Sequence, residues 1–367
     1  MKKVLLVAYE GLNKGGIQSV IMSIVRNLSD KYVFDIVLFT EEERYYDKDF
    51  MEYGGKIFRI PHYSGENKLR KRADIYLRGK RIYKGILNCI IENGPYSVIH
   101  CNNNFESAIC IKAAAKMNIP IRIVHTHVIT HPVGFARRTL NKVYFSLIKK
   151  YSTVRIGCSD LACKTMFGNK LSSMVINNPY DEKRFCPEKY IEQEKGELVI
   201  TQIGNFSPLK NEIFSIHVME LIKKRYPNAK LNFVGFDVGG YEQKMKEEIK
   251  RLGLEDWVKI YPSDADTPYL LSKSSVFILP SIYEGFGIVL VEAQAMGVHC
   301  FASDTVPEST NAGGCTYLSL SLGEEEWARQ ILEWYKYNKN KKHKYDCREF
   351  TEAKIMESYI KIYEGEL

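Results

Sequence analysis

The chain has 367 residues, of which 45% are apolar and 26% charged, and its formal net charge is +8. This length exceeds what one ordinary core organises, so we expect two domains, and the composition excludes a low-complexity or collagen-like chain. No run approaches the ~20 apolar residues that span a bilayer. Nine scattered cysteines without a C-x-x-C pair predict reduced thiols of a cytoplasmic protein.

Short apolar runs alternate with helical patterns through the first half of the chain. The opening run ends at Tyr9, which is too short for a signal peptide and favours a buried first strand. Continuous apolar strands between helices predict a parallel sheet covered on both faces. The predicted strands are 3–9, 33–39, 56–60, 97–101, 121–125 and 153–159. The predicted helices are 16–28, 70–92, 106–117 and 136–150.

Residues 177–196 lose this periodicity and gain proline, asparagine and charge, which is typical of a linker. The alternation then restarts with strands 198–204, 229–235, 257–261, 275–280 and 298–302 and helices 211–225, 241–252, 287–296 and 350–363. We therefore predict an α/β fold with two doubly wound, Rossmann-like domains, 1–180 and 181–350. The remaining helix, 351–367, is expected to pack back on the first domain. Ligands of such sheets bind beyond the carboxyl ends of the strands.

The charge is distributed unevenly along the chain. Residues 1–180 contain 28 Lys and Arg against 14 Asp and Glu, a balance of +14, and residues 181–367 have a balance of −6. The segment from Asn67 to Gly85 interleaves eight of these basic residues with apolar and aromatic ones. Two interpretations explain this basic segment: it forms a solvent-exposed helix face, or it contacts an anionic membrane surface. The chain lacks a nucleic-acid-binding signature, so we favour the membrane surface over nucleic acid.

The loop after the first predicted strand contains the run EGLNKGGIQSV. A helix that opens at Gly15 and Gly16 presents unpaired backbone N–H groups to an anion, and glycine permits close approach. A plain strand-to-helix turn accounts for the same residues. The run lacks the G-x-G-x-x-G pattern, which argues against a dinucleotide-binding dehydrogenase.

Histidines follow the fifth predicted strand in the run VHTHVITHP. The spacing of His125, His127 and His131 is a weak zinc signal without a nearby carboxylate or thiol. Strand alternation places His125 and His127 on the same side. We therefore favour histidines that hydrogen-bond a hydroxyl of a ligand over a metal site.

Two segments of the second half contain charged residues where ligands bind. Lys210 opens the helix after IGNFSPLKN and could meet a phosphate, although a solvated lysine explains it equally well. In SIYEGFGIVLVEAQAMG, Glu284 precedes a helix and Glu292 interrupts its apolar run. The helical neighbours of Glu292 three and four positions away are all apolar: Ile288, Val289, Ala295 and Met296. Either a distant residue or a ligand must meet this carboxylate.

These motifs together resemble a known family. N-K-G-G, V-H-T-H, G-N-F-S-P-L-K-N and the E-x7-E spacing from Glu284 to Glu292 resemble the retaining nucleotide-sugar glycosyltransferases of family four, which have the GT-B fold of two domains facing each other across a cleft. The residues of these motifs are similar to those of the family branch that builds bacterial capsule, exopolysaccharide or lipopolysaccharide. The resemblance extends through nearly the whole chain.

The resemblance implies specific roles. Glu292 would bind the ribose hydroxyls, Glu284 and His125 would contact the donor sugar, and Lys210 would neutralise the diphosphate. The other implied donor-binding residues are Gly15, Gly16, Asn205, Gly285, Phe286, Gly287 and Ile288, and the residues expected on the acceptor side are His127, His131, Arg137 and Arg138. No metal or other cofactor is implied beyond the nucleotide-sugar donor, which we expect to be a UDP-sugar.

The implied partners are a glycan or undecaprenyl-linked acceptor and the anionic inner leaflet of the cytoplasmic membrane, where the protein would associate peripherally on the cytoplasmic side. The chain departs from the family at Asn205, where arginine is frequent, and at Ile17-Gln18, where a small residue and glutamate are common. Three alternatives stay open: a GT-B sugar-nucleotide epimerase, a binding module without catalysis, and a membrane scaffold.

Overall fold

The computed structural model describes residues 1–9, 11–60, 68–127, 135–169, 171–190, 197–339, 341 and 343–366, without the side chains of 68–76 and 135–137. The chain divides into two compact units. Unit 1 comprises Met1–Pro179 with Glu352–Leu367, and unit 2 comprises Tyr180–Thr351. The sequence places the divisions between 180 and 181 and between 350 and 351.

Unit 1 is built around a parallel sheet. Its described strands are β1 (Lys2–Ala8), β2 (Tyr32–Leu38), β3 (Ile57–Arg59), β4 (Val98–Cys101), β5 (Ile121–Thr126), β6 (Val154–Gly157) and β7 (Met174–Val175). They are ordered β3-β2-β1-β4-β5-β6-β7. The helices of Met1–Pro179 are α1 (Gly16–Leu28), α2 (Asp47–Glu52), α3 (Lys68–Asn93), α4 (Ser107–Lys116), α5 (Phe135–Tyr151) and α6 (Asp160–Phe167).

Unit 2 repeats this plan. Its strands are β8 (Val199–Ile203), β9 (Lys230–Gly235), β10 (Val258–Pro262), β11 (Val276–Leu279), β12 (His299–Ser303) and β13 (Cys315–Leu318), ordered β10-β9-β8-β11-β12-β13. Its helices are α7 (Glu212–Lys223), α8 (Tyr241–Arg251), α9 (Thr267–Ser272), α10 (Ile288–Ala295) and α11 (Gly323–Asn338). The last helix, α12 (Glu352–Glu364), belongs to unit 1.

The apolar run of β1 is continuous because both faces of its sheet are covered. Val4 and Leu6 are buried in a core that also contains residues of α1 and α12, whereas Leu5 and Val7 lie in a second core with residues of α3 and α4. All four side chains are inaccessible to solvent. Burying a side chain of this size stabilises the fold by roughly 1.5–3 kcal/mol, so the two layers of helices fix the position of the central strand.

In each sheet the chain changes direction at one point. β1 lies between β2 and β4, and β8 lies between β9 and β11. From the central strand, the chain therefore first adds strands toward one edge of the sheet and then returns to add strands toward the other edge. In doubly wound sheets the crevice at this switch point, beyond the carboxyl ends of the strands, is where ligands bind. The loops after β1 in unit 1, and after β8 and β11 in unit 2, therefore hold candidate site residues, and the predicted His125 and His127 lie at the end of β5, the strand next to β4.

The predicted α/β class with two doubly wound parallel sheets is confirmed. Every predicted strand and helix is present, with ends that differ from the prediction by at most two residues. The sequence analysis did not predict several further elements: α2, α6, α9, α11, β7 and β13. Among the described residues, which include all nine cysteines, no disulfide forms, and no described helix is both long and apolar enough to cross a membrane.

Candidate functional site

The loops after β8 and β11 bring two predicted site residues together in unit 2. The Lys210 ammonium donates a hydrogen bond to the Glu284 carboxylate and forms an ion pair with it. Both side chains are largely shielded from solvent, with 23% of Lys210 and 9% of Glu284 exposed. The two residues are 74 positions apart in sequence, and they meet because β8 and β11 are neighbours at the switch point.

Several contacts hold this ion pair in place. The Gln202 amide, at the end of β8, donates to the Lys210 carbonyl at 2.8 Å. The Lys210 stem lies within van der Waals distance of the point where a Cβ of Gly204 would stand, so the lysine packs over this glycine. On the other side, the Ser281 hydroxyl donates to Glu284 Oε1 at 3.0 Å. The backbone N–H of Ile282 donates to the Leu209 carbonyl at 2.8 Å and joins the two loops.

The start of α10 depends on a glycine. Gly287 precedes the helix with a φ of +86°, a left-handed conformation that disfavours side chains. A Cβ there would also stand 3.3 Å from Val306. Phe286, 2% exposed, anchors the loop by packing 6.1 Å from Phe350, measured between ring centroids. The first N–H groups of α10 are therefore presented at the carboxyl edge of the sheet, beside Glu284.

Two polar side chains lie in the apolar α10, and they have opposite environments. Gln294 is fully buried, and its amide nitrogen donates hydrogen bonds to the Leu290 and Thr310 carbonyls. Its amide oxygen accepts hydrogen bonds from the backbone N–H groups of Ala312 and Gly314. Glu292 is half-buried, and its carboxylate makes no hydrogen bond to any residue that the structure describes. The protein thus satisfies the glutamine completely and leaves the carboxylate available to a ligand.

The electrostatic environment of Glu292 is unusual for a carboxylate. Burial raises its pKa to about 7, the nearby Arg184 guanidinium lowers it and the Asp181 carboxylate raises it further. Arg184 itself is held by a 2.9 Å hydrogen bond to the Thr267 hydroxyl. The carboxylate is therefore destabilised in its charged form until hydrogen-bond donors approach it. A vicinal diol provides two such donors.

A second buried carboxylate lies beside the lysine. Glu212, in the first turn of α7, is almost inaccessible to solvent, and its burial raises its pKa to about 7, although backbone hydrogen bonds and Lys210 lower it. The Ser207 N–H donates to its Oε2 at 3.4 Å. Through this hydrogen bond, the buried Glu212 side chain stabilises the loop between β8 and α7.

In unit 1 the predicted anion site has the expected backbone. α1 begins at Gly16, with Gly15 as its N-cap, and among the described residues no side chain caps this end and no acidic residue occupies its first turn. A Cβ on Gly16 would meet nothing within 4 Å, so the helix end is open. Such an end presents free N–H groups and a positive dipole to an anion.

The predicted histidines belong to a buried polar cluster at the ends of β4 and β5. His125 and His127 lie on the same side of β5 as expected, with ring centroids 3.8 Å apart. His127 is hydrogen-bonded through one ring nitrogen to Asn178 at 3.3 Å and through the other to Asn102 at 3.0 Å. Burial lowers its pKa to about 4. Its ring nitrogens are thus engaged by side-chain amides, and its contact with an acceptor stays a prediction.

His125 differs from His127 in having one free ring nitrogen. The side chain is inaccessible to solvent, and Nδ1 lies 3.1 Å from Nε2 of His100. Nε2 of His125 has no hydrogen-bond partner among the described residues. Burial first, and then the neighbouring His127 and His100, lower the pKa of His125 well below its usual value. The ring is therefore neutral at physiological pH.

The remaining predicted site residues are distributed as follows. Asn205 is exposed after β8, and Gly285 and Ile288 are half-buried around the start of α10. Arg138 is exposed on α5. His131 and the Arg137 side chain lie outside the described residues. Within the part of the chain that is described, no group of three or more His, Cys, Asp or Glu side chains could hold a metal ion.

Sequence reasoning missed the residues that support the site: Arg184, Gln202, Glu212, Ser281, His100 and Tyr363, whose hydroxyl lies 2.8 Å from Nδ1 of His100. Glu212 had a readable signal, since it follows Lys210 by two positions in a run otherwise becoming apolar. Arg184, His100 and Tyr363 act across long sequence separations. Gln202 and Ser281 lie eight and three positions from the residues that they hold, but nothing in their immediate neighbours marks them.

Unit 2 therefore presents an ammonium, a helix N-terminus and an unpartnered carboxylate near one edge of its sheet. A phosphate-bearing ligand would use the first two, and a diol would use the third. Unit 1 adds an open helix N-terminus and a neutral histidine with one ring nitrogen that no described residue engages.

Comparison with known proteins shows similarity to glycosyltransferases. The family model of the glycosyl transferases group 1 matches residues 188–348. A protein of Bacillus subtilis (strain 168) named as the glycosyltransferase EpsF is 27% identical over 347 residues, which cover 90% of this chain and 87% of that protein. The UDP-Gal:α-D-GlcNAc-diphosphoundecaprenol α-1,3-galactosyltransferase of Escherichia coli is 25% identical over 242 residues, 59% of each chain.

Solved structures show the same fold. Alr3699/HepE of Anabaena, solved in complex with UDP, covers all of this chain and is itself covered completely, with a TM-score of 0.79 at 18% identity. At this identity the likeness establishes the fold. The GT-B fold and the resemblance to bacterial polysaccharide glycosyltransferases, both inferred from sequence motifs, are thereby confirmed.

Proposed function

We propose that this chain, whose residues 188–348 match the family model of the glycosyl transferases group 1, transfers a sugar from a UDP-sugar to a glycan or lipid-linked glycan in the synthesis of a bacterial surface polysaccharide. In this proposal unit 2 binds the nucleotide and the anomeric configuration of the sugar is retained. The observation that supports it most is the Glu292 carboxylate, which is half-buried in α10 with no described hydrogen-bond partner.

The ribose of the donor explains this carboxylate. Both hydroxyls of a vicinal diol can donate to one carboxylate, and hydrogen bonds to a charged group contribute about 1.5–3 kcal/mol. The neighbouring Gln294 makes the contrast clear, because the protein satisfies all of its hydrogen-bonding groups. A polar residue that served only packing would be satisfied in the same way.

The diphosphate would bind between Lys210 and the first turn of α10. In the structure Lys210 is paired with Glu284, so a diphosphate competes with this carboxylate for the ammonium. Charge accumulates on the diphosphate as the glycosidic bond breaks, so the ammonium stabilises the transition state more than the bound donor. Glu284, released from the lysine, would then accept a hydroxyl of the donor sugar.

Support for the UDP donor comes from two similar proteins. HepE was crystallised with UDP and with UDP-glucose, and the name of the Escherichia coli relative gives UDP-Gal as its donor and a diphosphoundecaprenol-linked sugar as its acceptor. We propose the same donor nucleotide and a lipid-linked acceptor for this chain. The protonated side chains and helix termini described above supply the positive charge, and the proposal includes no essential metal.

The acceptor would be presented at a membrane surface by unit 1. On α5, Leu140 and Val143 are exposed beside the exposed cations Arg138 and Lys142. On the described part of α3, Lys80 and Lys84 are exposed, whereas Arg78 packs 4.5 Å from the Tyr9 ring centroid and is not a free surface cation. Exposed cations near anionic lipid contribute roughly 1 kcal/mol each. We therefore place peripheral attachment to the inner leaflet on these helices.

A donor panel tests the proposed reaction. Thermal shifts with UDP-, GDP- and ADP-sugars identify the nucleotide, and NMR of the product formed with a diphospholipid-linked sugar gives its anomeric configuration. We expect a UDP-sugar to stabilise the protein most and the product to retain the donor configuration. An inverted product contradicts the retaining mechanism. An epimerised sugar nucleotide formed without acceptor supports the epimerase alternative.

Vesicle sedimentation tests the membrane surface. The wild type is expected to bind anionic vesicles at low salt, to leave them at ~1 M salt, where the Debye length is ~3 Å, and to ignore neutral vesicles. A variant of unit 1 in which four exposed cations are replaced by serine should lose this binding. The replaced residues are Lys80, Lys84, Arg138 and Lys142. A control variant removes four exposed cations of unit 2: Arg225, Lys244, Lys250 and Lys259. Equal loss in both variants contradicts attachment through α3 and α5.

A further inference from the structure

A chain of hydrogen bonds connects the C-terminal helix to His125. The Tyr363 hydroxyl on α12 lies 2.8 Å from Nδ1 of His100, and Nε2 of His100 lies 3.1 Å from Nδ1 of His125. All three side chains are inaccessible to solvent. The rings of His100 and His125 are nearly parallel, 16° apart, with centroids separated by 5.3 Å. The chain ends at Nε2 of His125, which has no partner among the described residues.

The direction of this chain decides which nitrogen of His125 carries the proton. A neutral imidazole has one N–H donor and one acceptor nitrogen, so fixing one end of the chain fixes every member. If the Tyr363 O–H donates, His100 accepts at Nδ1 and donates from Nε2, and His125 accepts at Nδ1. Its proton then lies on Nε2. If instead His100 donates to the tyrosine oxygen, His125 keeps its proton on Nδ1, and Nε2 is an acceptor.

The surroundings of Tyr363 favour the first direction. Among the described residues its hydroxyl hydrogen-bonds only to His100. In the second direction two groups would be buried without a partner among the described residues, the phenolic hydrogen of Tyr363 and the acceptor nitrogen Nε2 of His125. In the first direction only the Nε2–H of His125 lacks an acceptor, so the first direction leaves fewer polar groups unsatisfied. Burial also raises the pKa of Tyr363 well above its usual value, so the hydroxyl keeps its hydrogen. The first direction leaves no hydrogen without an acceptor except that on Nε2 of His125.

We infer that Tyr363 and His100 are positioning residues that hold His125 as a hydrogen-bond donor through Nε2–H. A fully buried donor without an acceptor in the described part of the chain suits an oxygen of a ligand, such as a sugar hydroxyl. The part of this inference that concerns the donor sugar depends on the proposed function, whereas the tautomer of His125 does not. His125 acts in this scheme by donating a hydrogen bond, and it is not a general base.

A matched pair of variants on α12 tests the inference. Tyr363→Phe removes the hydroxyl that begins the chain. Tyr359→Phe, one turn earlier, removes an equally buried hydroxyl that has no hydrogen-bond partner among the described residues and lies near the same histidine rings. Selective ¹⁵N labelling of histidine and two-bond ¹H–¹⁵N correlation spectra distinguish the two neutral tautomers in the full-length protein.

In the wild type and in Tyr359→Phe, His100 and His125 are expected to carry their protons on Nε2. Tyr363→Phe should give a mixture of tautomers at both rings. A wild-type His125 protonated on Nδ1 overturns the inference, even if no variant folds, and so does an unchanged tautomer in a folded Tyr363→Phe variant.

Kinetics with the UDP-sugar then test the role of His125. Tyr363→Phe should lower kcat/KM about tenfold and leave the affinity for UDP unchanged, because UDP lacks the sugar that His125 would contact. Tyr359→Phe should alter neither quantity. A Tyr363→Phe variant with shifted tautomers but unchanged kcat/KM overturns the positioning role. If the wild type shows the predicted tautomers but transfers no sugar, the proposed function fails while the tautomer assignment stands.

Discussion

Replacing Glu292 with glutamine should stabilise unit 2, although it removes the residue proposed to bind the ribose. Burial raises the pKa of Glu292 from 4.5 to about 7. At about 1.36 kcal/mol for each pH unit, this difference corresponds to ~3 kcal/mol of lost stability when the group is ionised in both states. The carboxylate keeps some solvent contact, so we expect ~2 kcal/mol. Glutamine has nearly the same shape and no charge, and it avoids this cost.

The sign of the pH dependence follows from the raised pKa. Between pH 4.5 and about 7 the unfolded chain has lost a proton that the native Glu292 keeps, so the wild type loses stability as the pH rises through this range. The advantage of Glu292→Gln should therefore be largest near pH 8, less than half as large at pH 5.5, and nearly absent at pH 4.

Urea unfolding followed by tryptophan fluorescence measures this difference. All three tryptophans, Trp257, Trp327 and Trp334, lie in unit 2, so the signal reports on the unit that contains Glu292. With a slope of ~2 kcal/mol per molar urea, the midpoint of Glu292→Gln should rise by ~1 M at pH 8. Glu255→Gln, at an exposed position of the same unit, is the control and should shift it by less than ~0.3 M. An unchanged or lower midpoint for Glu292→Gln would mean that a protein group satisfies this carboxylate and would refute the reasoning.

The same electrostatics lead to further predictions. The ratio of the UDP dissociation constants of the wild type and Glu292→Gln should change about tenfold between pH 8 and pH 6, because the wild type must ionise a group whose pKa is about 7 to accept the diol; a constant ratio in calorimetric titrations contradicts this. Glu284→Gln removes the carboxylate that competes for Lys210, so UDP should bind about threefold tighter while sugar transfer slows, and weaker UDP binding would show that Glu284 assists the nucleotide. Sugar transfer should persist in EDTA, whereas its abolition and rescue by Mg²⁺ or Mn²⁺ would establish an essential metal.

Much of the fold could be predicted because its signals are local. The strands are buried on both faces, so each is a short apolar run, and the helices between them alternate with it. α11 was missed although its buried face has a helical repeat of Trp327, Ile331 and Tyr335. β7 and β13 are edge strands of two and four residues, which are too short for a periodic pattern.

The candidate site also contains some residues that the local sequence indicates and some contacts that only the tertiary structure shows. Glu292 could be singled out because the residues that a helix places beside it are apolar, so its lack of a partner within the helix is visible in the sequence. The pairing of Lys210 with Glu284 depends on β8 and β11 being neighbours, which requires the order of the strands. The contact of His100 with Tyr363 joins residues 263 positions apart, and no local pattern predicts it.

Calorimetric titration of UDP into the wild type and Glu292→Gln at pH 8 tests the central claim most directly, since both proteins are then compared with the wild-type carboxylate ionised. Loss of charge-assisted hydrogen bonds to the ribose should weaken UDP binding at least tenfold, at 1.4 kcal/mol for each factor of ten, while Glu255→Gln binds like the wild type. Equal affinity of the wild type and Glu292→Gln for UDP would contradict the account, because the unpartnered carboxylate would then have no part in holding the nucleotide.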